Sequence, residues 1–232
     1  MDSLVGLSAY NLAIVGNPFV VQDFRYRMYR QHNPAPRFII QFVDDFFLSP
    51  NLSLDDPVQF LPWMWNGTFR KGMSAFSIPV LFREGFPLFR YQGSRPWVAE
   101  RHKRQSRNGF YSFDDKQLHS YSQSWYFRYQ EDTDENFRDF LRQSREEGIR
   151  VALVFPPLYE RARFREGEKE KMFDYYNTVA ADFDLPFFDG SSLAMVHDST
   201  FFLDPGHLNA KGAKAFTDSL ACYLNRIGFI TH

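Results

Sequence analysis

Asp204 and His207 stand three residues apart in the stretch Phe201-Phe-Leu-Asp-Pro-Gly-His-Leu-Asn-Ala-Lys-Gly212. An aromatic run enters a Pro-Gly turn there, and a helix-forming stretch leaves it. On a tight loop this spacing brings a carboxylate within reach of one imidazole nitrogen. The carboxylate then selects the tautomer and stabilises the imidazolium, and the other nitrogen is left to take a proton from a hydroxyl. Asp204 is therefore the expected orienting acid, and His207 the expected general base, of a serine-hydrolase-type site. The same spacing also fits an ordinary Asp-Pro-Gly turn whose histidine caps the next helix. His32, His102, His119, His197 and His232 have no partner at metal-ligand spacing, and no Gly-rich phosphate loop occurs. No metal and no other cofactor is expected.

An acid–base pair works only where regular elements hold it. Residues 9–15 read as a strand, punctuated by Gly16-Asn-Pro18, with Pro18 suited to the first turn of a helix over 20–30. Residues 37–43 form a second expected strand, apolar on both faces as buried parallel strands are. Regular patterning returns at Asp134. A helix over 135–147 is closed by Gly148, and a strand over 149–155 is stopped by Pro156-Pro157. A helix over 168–182, a short strand over 185–189 and a helix over 210–227, closed by Gly228, complete the pattern. This alternation predicts an α/β domain with a parallel sheet. Between about 48 and 129, prolines, aromatics and arginines recur without a clean period. That segment reads as an insertion of short helices and loops within one domain spanning 1–232, placed to cover a site.

The composition suits one soluble domain: 232 residues, 44% hydrophobic and 24% charged. A formal net charge of -1 implies no polyanionic partner. Trp63, Trp65, Trp97 and Trp125 accompany the basic run Arg101-His-Lys-Arg-Gln-Ser-Arg107. Aromatics with cations suit a sugar polymer or an anionic headgroup, or else a solvated loop beside a local aromatic core. No recognition motif accompanies the charge, so nucleic acid is not an expected partner. No run of about 18 apolar residues marks a membrane span, and no signal-peptide pattern opens the chain. Cys222 is the single cysteine, so no intrachain disulfide forms, and its helical setting reads as a small buried core residue.

The block from Asp204 to Gly212 resembles the last sequence block of the SGNH/GDSL hydrolase superfamily, where Asp-x-x-His precedes Leu-Asn, a glycine and the C-terminal helix. Residues 9–16 are similar to its second strand, ending at an oxyanion-hole glycine, here Gly16. Residues 151–159 are similar to its late strand with a Pro-x-Tyr exit, and residues 185–189 to the strand before the catalytic loop. The resemblance implies a flavodoxin-like three-layer sandwich with a parallel sheet. It points to the membrane-anchored and polysaccharide O-acyl transfer branch, hence to a cell-envelope setting for the full-length protein. It also implies a mechanism. A serine attacks an ester carbonyl, such as that of an acylated cell-surface carbohydrate, while His207 removes the serine proton and Asp204 holds His207. The Gly16 N–H donates to the oxyanion, and water or a second alcohol takes the acyl group.

The nucleophile block of that family has no counterpart in this chain. Met1-Asp-Ser3-Leu4 looks superficially similar, but only six residues, Leu4 to Ala9, separate Ser3 from Tyr10. A parallel crossover needs about ten to twelve residues or more. The expectation is that the first strand and its serine are encoded before Met1. The alternatives are a shortened inactive relative, a non-catalytic glycan-binding relative, or a fragment without independent function. The family's Gly-x-Asn-Asp block is also absent. Asp44 or Asp45 takes that place, and an acid there donates a hydrogen bond only when protonated.

Overall fold

The structure is a computed structural model that describes residues 9–13, 17–49 and 124–230. Its elements are α1 (Phe19–Arg30), β1 (Phe38–Phe42), α2 (Glu131–Glu146), β2 (Arg150–Phe155), α3 (Glu168–Phe183), β3 (Phe187–Asp189), β4 (Phe202–Asp204), β5 (His207–Leu208) and α4 (Ala210–Arg226). Short 3-10 turns join β3 to β4.

β1, β2 and β3 form a parallel sheet in that order, with Ile39 opposite Val151 and Val154 opposite Phe188. Successive side chains of β2 leave the sheet on opposite sides. Val151, Leu153 and Phe155 enter one core with Phe19 of α1, Phe137 and Phe140 of α2, and Met172 and Tyr176 of α3. Ala152 and Val154 enter a second core with Phe216, Leu220 and Leu224 of α4. The chain is thus mixed α/β, with a three-stranded parallel sheet covered on both faces. All five residues from Val151 to Phe155 are buried, each large side chain contributing about 1.5–3 kcal/mol of hydrophobic stabilisation. That explains an unbroken apolar run bounded by Gly148 and two prolines.

Several expectations need correction. Residues 9–13 have no regular structure and join no sheet, and Ile14, Val15 and Gly16 lie outside the described residues. β1 is half-buried rather than buried on both faces, and Phe42 is 43% exposed. Among the described residues β1 is hydrogen-bonded to a strand on one side only. Cys222 is exposed, not buried. α4 buries Phe216, Leu220 and Leu224, spaced by four, and Cys222 lies about 200° around the helix from Leu220. The expected insertion has Leu48 and Phe127 near its two ends, and both belong to the core. Its middle, with Trp63, Trp65, Trp97 and the run from Arg101 to Arg107, lies outside the described residues. Helix α2 begins at Glu131, earlier than expected, where Glu131, Asp132 and Asp134 oppose the positive end of the helix dipole. Among the described residues, no helix is long and apolar enough to cross a membrane.

Candidate active site

The turn carrying Asp204 and His207 is a small antiparallel hairpin. β4 and β5 pair Phe202 with Leu208 and Asp204 with His207, with a register irregularity between them. Pro205 and Gly206 form the turn, and the Gly206 N–H donates to Asp204 Oδ1 at 2.8 Å. Asn209 then locks the hairpin to α4. Its Oδ1 accepts from the Gly212 N–H at 3.0 Å, its Nδ2 donates to the Thr200 carbonyl at 2.9 Å, and its N–H donates to the Phe201 carbonyl at 3.1 Å. One buried asparagine therefore caps the helix and ties it to the strand entering the turn. Gly212 is required for the same packing, since a Cβ there would overlap the Phe201 carbonyl oxygen.

Within this frame His207 Nδ1 lies 2.9 Å from both Asp204 Oδ1 and Oδ2. The Asp204 side chain is only 7% exposed, whereas that of His207 is 64% exposed. With a carboxylate as its acceptor, Nδ1 carries the hydrogen, and Nε2 is the nitrogen left for proton transfer. The arrangement can hold an imidazole in one tautomer and stabilise its protonated form.

Two loops support the hairpin. After β2, Pro156-Pro157 turns the chain over Gly190, where a Cβ would stand 2.6 Å from the Phe155 carbonyl oxygen. The Tyr159 N–H then donates to the Pro205 carbonyl at 3.0 Å, and its ring packs on Phe202 with centroids 5.5 Å apart. On the other side, the indole of Trp125 packs on Gly206, so close that a Cβ there would meet it at 3.1 Å. Trp125 is held by exchange of backbone hydrogen bonds with Arg163 and Arg165. His197 pairs with Glu160 at 2.8 Å, a second and fully surface histidine–carboxylate contact. Thirty-seven positions separate the two residues, and nothing in their local sequence signals the contact.

Asp44 and Asp45 sit where β1 ends. Asp44 Oδ1 accepts from the Phe46 N–H at 2.8 Å, and its carbonyl accepts from the Tyr176 hydroxyl at 2.7 Å. The Asp45 carbonyl accepts from the Arg128 N–H at 2.9 Å. The Arg128 guanidinium lies over the rings of Phe46 and Tyr126, at 4.8 and 5.1 Å from their centroids. Burial pushes the Asp44 carboxyl above the usual carboxylate range, against the N–H groups of Phe46 and Phe47 and the charges of Arg128 and His207. Burial, with the neighbouring Asp44 charge, pushes Asp45 up to about 6, and Arg128 opposes it. Trp125 and Arg128, which pack against the hairpin and the end of β1, fall in the segment expected to be an insertion of short helices and loops.

Other expected residues fall elsewhere. Gly16 and Ser3 lie outside the described residues. Among the described residues no serine hydroxyl is hydrogen-bonded to His207, and no group of three His, Cys, Asp or Glu side chains converges as metal ligands would. A wide recess lined by Arg145, Arg150, Phe183, Leu185, Ile227 and Phe229 lies at the opposite ends of β2 and β3. Its arginines serve helix ends: Arg145 donates to the Phe183 carbonyl and Arg150 to the Gly228 carbonyl. Comparisons of this chain with family models, with curated proteins and with solved structures found no match.

Proposed function

We propose that Asp204 and His207 are the acid and base of a Ser-His-Asp acyl-transfer site of the SGNH type, acting on an ester such as an acylated cell-surface carbohydrate. The observation that carries this reading is the contact between an exposed imidazole and a buried carboxylate, 2.9 Å from Nδ1 to each oxygen. A turn histidine that merely caps a helix needs no buried acid behind it, and here the cap of α4 is Asn209. The two helix-covered faces of the parallel sheet are compatible with the three-layer sandwich that the SGNH reading requires.

In this mechanism a serine Oγ attacks the ester carbonyl and its proton passes to His207 Nε2. Asp204 stabilises the imidazolium so formed. His207 then returns the proton to the leaving alkoxide as the carbon–oxygen bond breaks and an acyl-serine remains. Water or a second alcohol repeats the sequence in reverse. Gly16 is assigned as a backbone donor to the oxyanion, and the nucleophile is assigned to residues outside those described. The test is labelling of the natural full-length protein with a fluorophosphonate, with the modified residue located by mass spectrometry. The expected result is a single labelled serine whose reaction slows at least about 100-fold in His207→Ala. Labelling of that variant at the wild-type rate would overturn the assignment.

A further inference from the structure

Arg128 and the run Arg161-Ala-Arg-Phe-Arg165 bring four arginines to the two segments that support the hairpin. These segments are tied to each other and to the turn. The Trp125 N–H donates to the Arg163 carbonyl at 2.7 Å, and the Arg165 N–H donates to the Trp125 carbonyl at 2.8 Å. The Trp125 ring packs on Gly206, the residue before His207. Tyr126 follows Trp125 directly, so it stands one residue along from that contact. Arg165 lies over the Tyr126 ring at 4.4 Å from its centroid, and Arg128 over the same ring at 5.1 Å. Arg161 lies over the ring of Tyr159, whose N–H holds Pro205. Arg161, Arg163 and Arg165 are exposed, and Ala162 and Phe164 between them are half-buried. The run thus turns its charges outward at every second residue.

These arginines are held differently from others in the chain. Arg30 and Arg138 pair with carboxylates, and Arg145 and Arg150 donate to carbonyls at helix ends. Among the described residues, the side chains of Arg128, Arg161, Arg163 and Arg165 pair with neither. A guanidinium placed over a ring is aimed by that contact, while its N–H groups lie in its own plane and stay available to an anion. Two of the acids nearby have other partners: Glu160 pairs with His197 at 2.8 Å, and Glu168 accepts from the Phe127 N–H at 2.9 Å. The formal net charge of -1 averages over this local positive excess.

We propose that the arginines on Tyr126 and Tyr159 form a subsite beside the hairpin that takes carboxylate groups of the substrate, which is then an acylated glycan built of uronic acid units. The proposal rests on the acyl-transfer reading above, which supplies the ester; the arginines supply the charge preference. A guanidinium donates two parallel hydrogen bonds to a carboxylate, so each arginine fixes orientation as well as charge. A uronate chain carries a carboxylate on every unit, and a row of separated arginines matches a row of separated charges. Nucleic acid also presents such a row, but its binders stack bases on free aromatic faces. Here the Tyr126 ring is already occupied by arginines, and the Trp125 ring by Gly206 and by Phe164, whose centroid is 5.6 Å away. Because Trp125 touches the turn itself, a glycan held on these arginines lies along the approach to His207.

The experiment titrates the natural full-length protein by calorimetry with an acetylated oligogalacturonate and with an uncharged acetylated cello-oligosaccharide of the same length. Wild type is expected to bind the oligogalacturonate at least about 10-fold more tightly, and the difference is expected to shrink as salt is added. Arg165→Gln and Arg161→Gln, both at exposed positions, are expected to weaken that binding by about 10- to 100-fold each. Arg165→Lys keeps the charge without the planar fork and is expected to recover only part of the loss. Acetate release from the oligogalacturonate and from p-nitrophenyl acetate is followed alongside, in wild type and in His207→Ala. Equal binding of the charged and uncharged glycans overturns the subsite, as does unchanged binding in both glutamine variants. Tighter binding of a single-stranded oligonucleotide than of the oligogalacturonate overturns the assignment to a glycan. If acetate release depends on His207 but oligogalacturonate binding does not depend on the arginines, only this proposal falls. If the oligogalacturonate binds through the arginines and wild type releases acetate from neither ester, the acyl-transfer reading falls, and with it the role of the glycan as substrate.

Discussion

His207 and Asp204 contribute different things, and their substitutions should separate. The His207 ring is mostly exposed and, among the described residues, bonded to Asp204 alone, so His207→Ala removes a base and little packing. It is expected to slow acyl-serine formation by about 10²–10⁴-fold while shifting the melting temperature by less than about 2 °C. Asp204 is buried and also accepts from the Gly206 N–H. Asp204→Ala is therefore expected to lose activity and to cost about 1–3 kcal/mol of stability, because a backbone donor is left without its partner. Urea denaturation of both variants, beside their labelling rates, checks the contrast. Equal stability losses would show that the two residues are merely one structural contact. The Asp-x-x-His spacing was legible in the sequence. That the acid would be buried and the imidazole open depended on Trp125, Tyr159 and Phe202 closing around the turn.

The element that aims His207 is the junction of β4, β5 and α4. Gly212 lies in the first turn of α4 against the Phe201 carbonyl, and Asn209 joins the two. Gly212→Ala is expected to destabilise the protein by about 2–4 kcal/mol, because backbone must move rather than a flexible side chain. It should also reduce labelling of the serine, since the hairpin shifts with the helix. Thermal unfolding and labelling of the single variant test this; a tolerated alanine would mean that α4 does not press on the hairpin. The sequence marked Asn209 and Gly212 as part of a recognisable block, but their reason is steric and lies in Phe201. Helices α2, α3 and α4 were legible because their apolar spacing is local, as are Gly148 and Gly228, which close α2 and α4. Residues 9–15 had strand composition, yet pairing is non-local, and residues 9–13 take no regular structure.

For the molecule as a whole, the acids at the end of β1 set a pH dependence of folding. Asp45 is raised to about 6 from an ordinary value of 3.8, so the folded state holds this proton more tightly than the unfolded chain does. The resulting stability is fully present below about pH 4 and is lost as pH rises through about 6. Asp44 acts in the same direction. Two pKa units correspond to about 3 kcal/mol, and partial solvent contact at Asp45 reduces this to roughly 1–2 kcal/mol. Asp45→Asn is therefore expected to gain about 1–2 kcal/mol over wild type at pH 7.5 and nothing at pH 4. Urea unfolding at both values measures it, and a pH-independent difference between the two proteins would refute the assignment.

Local pattern in the sequence was enough to establish an α/β chain, most helix limits and the buried run of β2, and it made the Asp204–His207 contact one of two expectations for the turn. Each of these depends on neighbours within one or two turns of chain. Folding decided the rest: that Asn209 caps α4, that Cys222 faces solvent, that Phe127 and Leu48 join the core, and that Trp125 and Tyr159 reach the hairpin. Trp125 packs on Gly206, and the Tyr159 N–H donates to the Pro205 carbonyl, across long stretches of chain. Those contacts arise because the segments after β2 and before α2 fold back onto the β4–β5 hairpin, which no local pattern specifies.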